Sequence, residues 1–129
     1  MTTPSMIETS MTAALSRFLD VDVARYKLIT KNLANIDTPG YHTEDLDFRT
    51  ELRRAAMFDD STSNLSLASY SPAARPVRGL LERPDGNNVS VERESLLLAE
   101  NQLRFQAAAA FLKSEFHRLS LAINGGSSS

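Results

Sequence analysis

The sequence contains no cysteine, which excludes thiolate chemistry, disulfide bonds and cysteine-based zinc sites. No run approaches the ~18 apolar residues that a membrane-spanning helix needs. An excess of one charge is also lacking. Fourteen basic and 16 acidic residues leave a formal net charge of −2, so nothing electrostatic calls for nucleic acid or an anionic membrane surface as a partner. The first eight residues, Met1-Thr2-Thr3-Pro4-Ser5-Met6-Ile7-Glu8, have neither the basic n-region nor the apolar h-region of a cleaved secretory signal. A phosphate-binding P-loop, a dinucleotide fingerprint and a nucleophile elbow are all missing.

Groups that could carry chemistry are few. His42 and His117 are isolated, and no spacing brings them to a carboxylate as metal ligands. Asp45 and Asp47 stand two apart in an extended stretch, so they share a face opposite Leu46 and Phe48. A solvated strand face or a helix N-cap suits them better than acid–base work. Asp85-Gly86-Asn87-Asn88 lacks the spacing of a calcium loop and is expected to be a turn. No catalytic residue, cofactor, metal or small-molecule substrate is expected.

What the chain does have is helical periodicity at both ends. Leu15, Leu19, Val23, Tyr26, Ile29, Leu33 and Ile36 recur at steps of three and four, which places them on one stripe of a helix running from about Ile7 to Ile36. At ~1.5 Å per residue such a helix is a rod of roughly 45 Å. Asp37-Thr38-Pro39-Gly40 stops it, because Thr38 before proline leaves the α region and Pro39-Gly40 suits the centre of a type II turn. From Tyr41 to Met57 an extended stretch is expected to feed about three turns of helix. Between Phe58 and Asn88, the polar run Asp59 to Asn64 and the scattered Pro72, Pro76, Gly79, Pro84 and Gly86 predict a loop-rich segment, mobile or weakly strand-like.

The second long helix starts near Ser90, a good N-cap, with Glu92 and Glu94 placed to complement the helix dipole. Leu98, Phe105, Ala109, Leu112, Phe116, Leu119 and Ile123 form one apolar stripe, and Leu96, Ala99, Leu103, Ala107, Ala110 and Phe111 form another. Asn124-Gly125-Gly126 is expected to end the helix, leaving 126–129 as a flexible tail. Two helices in a hairpin bury one stripe each, yet this one has two. Surplus apolar surface marks an interaction site. The fold class is thus mainly α, with two long terminal helices pairing as a coiled-coil-like hairpin around a loop-rich, partly extended middle. Segments 1–40 and 88–125 are expected to form one helical assembly domain, and 41–87 the middle. Beside the first helix stop, Asn32 and Asn35 lie three apart. They are read either as a plain C-cap region or as register-setting polar residues within an interface.

Lys31-Asn32-Leu33-Ala34-Asn35-Ile36-Asp37-Thr38-Pro39-Gly40-Tyr41 resembles the N-terminal signature of bacterial flagellar rod and hook proteins. Asp45-Leu46-Asp47-Phe48, Asp85-Gly86-Asn87-Asn88-Val89 and the run from Leu98 to Ala107 narrow the resemblance to the proximal rod members of that family. The arginine-alanine-tyrosine-glutamate-alanine-asparagine type run of the sister rod and hook proteins is absent, and Phe105 stands where tyrosine is common. The resemblance covers both helices and the turn, about two thirds of the chain, and leaves Met57 to Pro84 unmatched.

It implies a structural subunit of the basal-body rod, needed for flagellum assembly and motility, whose terminal helices pair into a coiled-coil-like domain lining the inner tube. The implied partners are further copies of the chain, sister rod proteins and a small adaptor that joins the rod to the membrane ring and export gate. It further implies export through the flagellar type III apparatus, without a cleaved signal, to the periplasm-spanning basal body. On this reading the assembly interface is the α1 stripe from Leu15 to Ile36 with Asn32 and Asn35, together with Leu98, Leu103, Phe105, Ala109, Leu112, Phe116, Leu119 and Ile123. Asp37, Thr38, Pro39, Gly40, Tyr41, Asp47 and Phe48 are the turn motif. The alternative is a soluble helical adaptor or regulator holding one partner helix in a groove. A small enzyme using His42 with Glu44 or Asp45 is a remote third.

Overall fold

The computed structural model describes the backbone of residues 4–60 and 71–127 and the side chains of residues 11–57 and 71–125. Its elements are a helix α1 (Pro4–Ala34), a two-residue strand β1 (Glu44–Asp45), a helix α2 (Phe48–Asp60), a strand β2 (Arg75–Pro76) and a helix α3 (Val91–Ser127). The two terminal helices hold 31 and 37 residues, or about 46 and 55 Å of rod. They run antiparallel: the α1 residue Asn32 meets Glu94 near the start of α3, and Asp22, ten residues earlier, meets Asn101 further on. The short strands pair antiparallel, Glu44 opposite Pro76 and Asp45 opposite Arg75.

The helix starts follow local chemistry. Pro4 opens α1, where its missing N–H costs nothing. Asp47 caps α2, accepting from the Thr50 N–H at 3.3 Å. Ser90 caps α3, its Oγ accepting from the Arg93 N–H at 3.2 Å.

The ends depart from expectation in opposite senses. α1 gives up regular helix at Ala34, two residues before Ile36, because its last turn tightens into bonds from Ile36 N–H to the Leu33 carbonyl and from Thr38 N–H to the Asn35 carbonyl. α3 does not stop at Asn124-Gly125-Gly126 but runs on to Ser127. Neither glycine adopts positive φ there, so no left-handed cap forms and their low propensity alone does not break the helix. α2 likewise continues three residues beyond Met57. The expected polar loop from Ser61 to Asn64 and the last two residues of the tail lie outside the described residues.

The apolar core sits between α1 and α2, not between the two long rods. Val21, Leu46 and Ala55 are buried together, with Ala24, Leu28, Phe48 and Leu52 packed against them. Phe18 meets Phe48 edge to face, with ring centroids 5.0 Å apart at 74°. Arg104, from α3, lays its guanidinium over the other side of Phe48 at 5.2 Å. A helix of only 13 residues therefore uses the apolar face of α1 that a hairpin of two long helices would have claimed.

Candidate assembly interface

Where α1 meets α3 the contact is polar. The buried positions along α3 are Glu94, Asn101 and Ala108, with Leu97 and Arg104 half-buried between them. They recur at steps of three and four, so they form one stripe facing α1. On α1 the facing positions are Asp22, Ile29 and Asn32. Glu94 lies in the first turn of α3, where it complements the dipole as expected; it is also fully buried and accepts from Asn32 Nδ2 at 3.1 Å and from Arg93 at 2.7 Å.

Asn32 is the centre of this clasp. Its Nδ2 also donates to the Glu44 carbonyl at 2.8 Å, while its Oδ1 accepts from Tyr41 Oη at 2.9 Å and the Glu44 N–H at 3.1 Å. Both donors and both acceptors are used inside the chain. Of the two readings of Asn32, a plain C-cap or a polar residue within an interface, the structure shows it buried in the contact between α1 and α3 of its own chain. Burial raises the pKa of the Tyr41 hydroxyl, and the charges of Glu44 and Glu94 raise it further. Tyr41 thus stays a protonated donor to Asn32.

Asp45 is likewise no solvated strand residue. Arg25 grips it bidentately, Nε and Nη2 both at 3.1 Å, and Arg93 reaches it at 2.8 Å. Burial would push its carboxyl up, but the Arg25 bonds and charge, the Leu46 N–H and Arg93 outweigh that and hold it below the ordinary carboxylate range. One carboxylate on β1 thereby ties α1 to α3. Asp47 is exposed, as an N-cap should be, and the backbone and hydroxyl of Thr50 hold its pKa down.

The two turns interlock. Thr38 to Tyr41 closes with the Tyr41 N–H on the Thr38 carbonyl, and Gly40 takes φ of 73°, the positive value that the turn requires. Arg83 to Gly86 closes the second, with Gly86 at φ of 86°. The Gly40 N–H donates to the Asp85 carbonyl at 2.8 Å, and a Cβ on Gly86 would stand 3.3 Å from the Gly40 Cα. Buried Asn87 completes the joint. Its Nδ2 donates to the carbonyls of Asn35 and Thr38, both at 2.9 Å, adding a second bond to each just past the end of α1. Asn88 Oδ1 accepts from the Thr43 N–H at 2.7 Å, and Arg83 donates to the Ile36 carbonyl. Asn35 bonds back to the Lys31 carbonyl at 2.8 Å, the ordinary behaviour of a residue closing a helix.

The large apolar side chains of α3 point the other way. Leu103 is 69% exposed, Phe111 65%, Ile123 63% and Phe116 54%. Leu96, Phe105 and Leu121 are exposed as well, and on α1 so are Met11, Val23 and Tyr26. Of the remaining stripe residues, Leu15, Leu19, Leu33, Ile36, Leu98, Ala109, Leu112 and Leu119 are half-buried, while Ile29 is enclosed. Among the described residues no group of three or more acidic or histidine side chains could hold a metal ion, and no helix is long and apolar enough to cross a membrane. Tracing apolar stripes alone overlooks Asp22, Glu94, Asn87 and Asn101. The available signal was polar residues at helical spacing between two apolar stripes.

The fold and its surfaces define a class: a helix-pair structural protein with buried polar groups between its long helices and large apolar side chains exposed along them. No family model matches the chain. Among curated proteins it is similar to the flagellar basal body rod protein FlgB of Cereibacter sphaeroides, 38% identical over 78% of this chain and 84% of that protein. The FlgB proteins of Salmonella typhimurium and Bacillus subtilis are each 30% identical, over 84% and 79% of this chain and 88% and 84% of theirs. The chain belongs to the FlgB family of flagellar basal body rod proteins.

Proposed function

We propose that the chain is a self- and hetero-assembling subunit of the proximal rod, held in place by the outward apolar flanks of α1 and α3. The observation that carries this reading is the inversion of the helix pair. Buried polar side chains such as Asn32, Glu94 and Asn101 occupy the seam inside the chain, while Leu103, Phe111, Phe116 and Ile123 stand open. An exposed apolar flank of this kind marks an interaction site that a neighbour covers. The neighbours are further copies of the chain, sister rod proteins and the adaptor that joins the rod to the membrane ring and export gate. Residues 1–40 and 88–125 form the assembly domain, delivered by the flagellar type III apparatus without a cleaved signal, and assembly through them is required for motility.

The test is a triple substitution, Leu103→Ser, Phe111→Ser and Phe116→Ser, in cells lacking the native copy. The isolated variant should keep its helical circular dichroism, yet be missing from purified basal bodies and leave cells non-motile. Normal incorporation and swimming would overturn the reading.

A further inference from the structure

Where α1, α2 and α3 come together, four enclosed polar atoms have no hydrogen bond. Two are the carboxylate oxygens of Asp22, a residue 0% exposed; the others are Asn101 Oδ1 and Arg104 Nη1. Buried polar atoms without partners are rare in folded proteins, and each asks for an explanation. Here acceptors and a donor go unpaired in the same place.

Helix spacing brings them together. Asn101 Nδ2 donates to the Asp22 carbonyl at 3.0 Å, and Arg104 stands one turn beyond Asn101 on the same face of α3. On α1, Phe18 stands one turn before Asp22. The Phe48 ring that meets Phe18 edge to face is the ring that Arg104 covers at 5.2 Å. Arg104 is thus a cation set between a carboxyl group on α1 and an aromatic face at the start of α2.

The two sites suit it under different conditions. A protonated carboxyl needs no counter-ion, and the ring then holds the guanidinium by cation–π attraction. An ionised carboxylate in an enclosed place needs a charged donor, and such bonds are about twice as strong as neutral ones. We propose that Arg104 is a two-position latch, lying on Phe48 while Asp22 is protonated and swinging onto the Asp22 carboxylate when that acid ionises. Raising the pH moves the hold of α3 from α2 to α1 and tightens the seam between the long rods.

Other charges nearby are already engaged. Arg25 is held bidentately by Asp45 of β1, which Arg93 also grips, and the buried Glu51 of α2 is bonded by Arg54. Burial pushes the Asp22 carboxyl up to about 6, against the charges of Arg104 and Arg25. Pairing favours the ionised form, so the swing falls at or below that pH. The latch lies within one chain and is independent of what covers the outer flanks.

The full-length chain, labelled with carbon-13 and nitrogen-15, is titrated by NMR from about pH 4 to about pH 8. Asp22 Cγ, Arg104 Hε and the Phe48 ring protons should share one midpoint, Arg104 Hε losing its upfield ring shift as Asp22 loses its proton. Asp22→Asn should abolish the step and keep Arg104 on the ring throughout. Phe48→Leu tests the latch without touching the acid and keeps the core apolar. It should lower the Asp22 midpoint by roughly one pH unit, because Arg104 no longer has a ring to leave. Arg104 signals that stay ring-shifted across the range overturn the proposal. So does an Asp22 midpoint unmoved by Phe48→Leu.

Discussion

The proximal and distal halves of α3 are one continuous helix with opposite chemistry. From Glu94 to Arg104 it faces α1 through hydrogen bonds and charge: Glu94 bonds Asn32 and Arg93, and Asn101 Nδ2 bonds the backbone of Asp22. From Phe111 to Ile123 the large apolar side chains stand in the open. The proximal half is stabilised by its own chain. The distal half has no hydrogen bond to α1 among the described residues and carries exposed Phe111, Phe116, Leu121 and Ile123. Stability and assembly are thus assigned to different stretches of one rod, and substitutions should separate them.

The largest effect is expected at the clasp. Asp45→Ala leaves Arg25 and Arg93 without their shared carboxylate in a partly buried place. It should cost about 3–4 kcal/mol, read as a fall in urea midpoint. The next contrast is in pH. Burial pushes Asp22 up from 3.8 to about 6, with Arg104 and Arg25 pulling against it. Its folded pKa lies above its unfolded value, so folding is favoured most below about 4 and loses stability as pH rises through 6, by at most about 3 kcal/mol. Asp22→Asn should flatten that slope in thermal melts and stabilise the isolated chain at neutral pH. Asp45 has the opposite sign: its pKa is lowered, so its contribution is present above the unfolded value near 4 and is lost as pH falls below it.

Gly86→Ala is a smaller perturbation. It places a Cβ 3.3 Å from the Gly40 Cα at a φ of 86°, and about 1–2 kcal/mol of destabilisation in thermal melts is expected. The smallest effect on stability belongs to the distal half. Phe111→Ser or Ile123→Ser should change the unfolding free energy of the isolated chain by no more than about 0.5 kcal/mol. The same changes should remove it from basal bodies.

Much of the fold was legible because it follows local rules. The steps of three and four announced both rods, Ser90 announced the start of α3, and Pro39-Gly40 announced the turn that ends α1. The pairing of faces was not legible, for a physical reason. Apolar stripes are visible in sequence, and they suggested an apolar seam between the rods. The short α2 took the apolar face of α1, and the seam went to Asn32, Glu94, Asn101 and Arg104. Polar residues at a helix end look like caps, and only the return of residues 83–94 onto Asn32 and Tyr41 reveals a clasp. Asn87 read as one more turn residue, although it spends its amide on the end of α1 across 52 positions of sequence.

The most direct measurement is hydrogen exchange by mass spectrometry on the isolated chain and on purified rods. A helix without a tertiary partner is marginal in water. In the isolated chain, amides in residues 18–57 and 83–104 should be protected, while those in 111–125 exchange fast and gain protection only in the rod. Equal protection along all of α3 in the isolated chain would contradict the division between a half that folds on itself and a half that waits for neighbours.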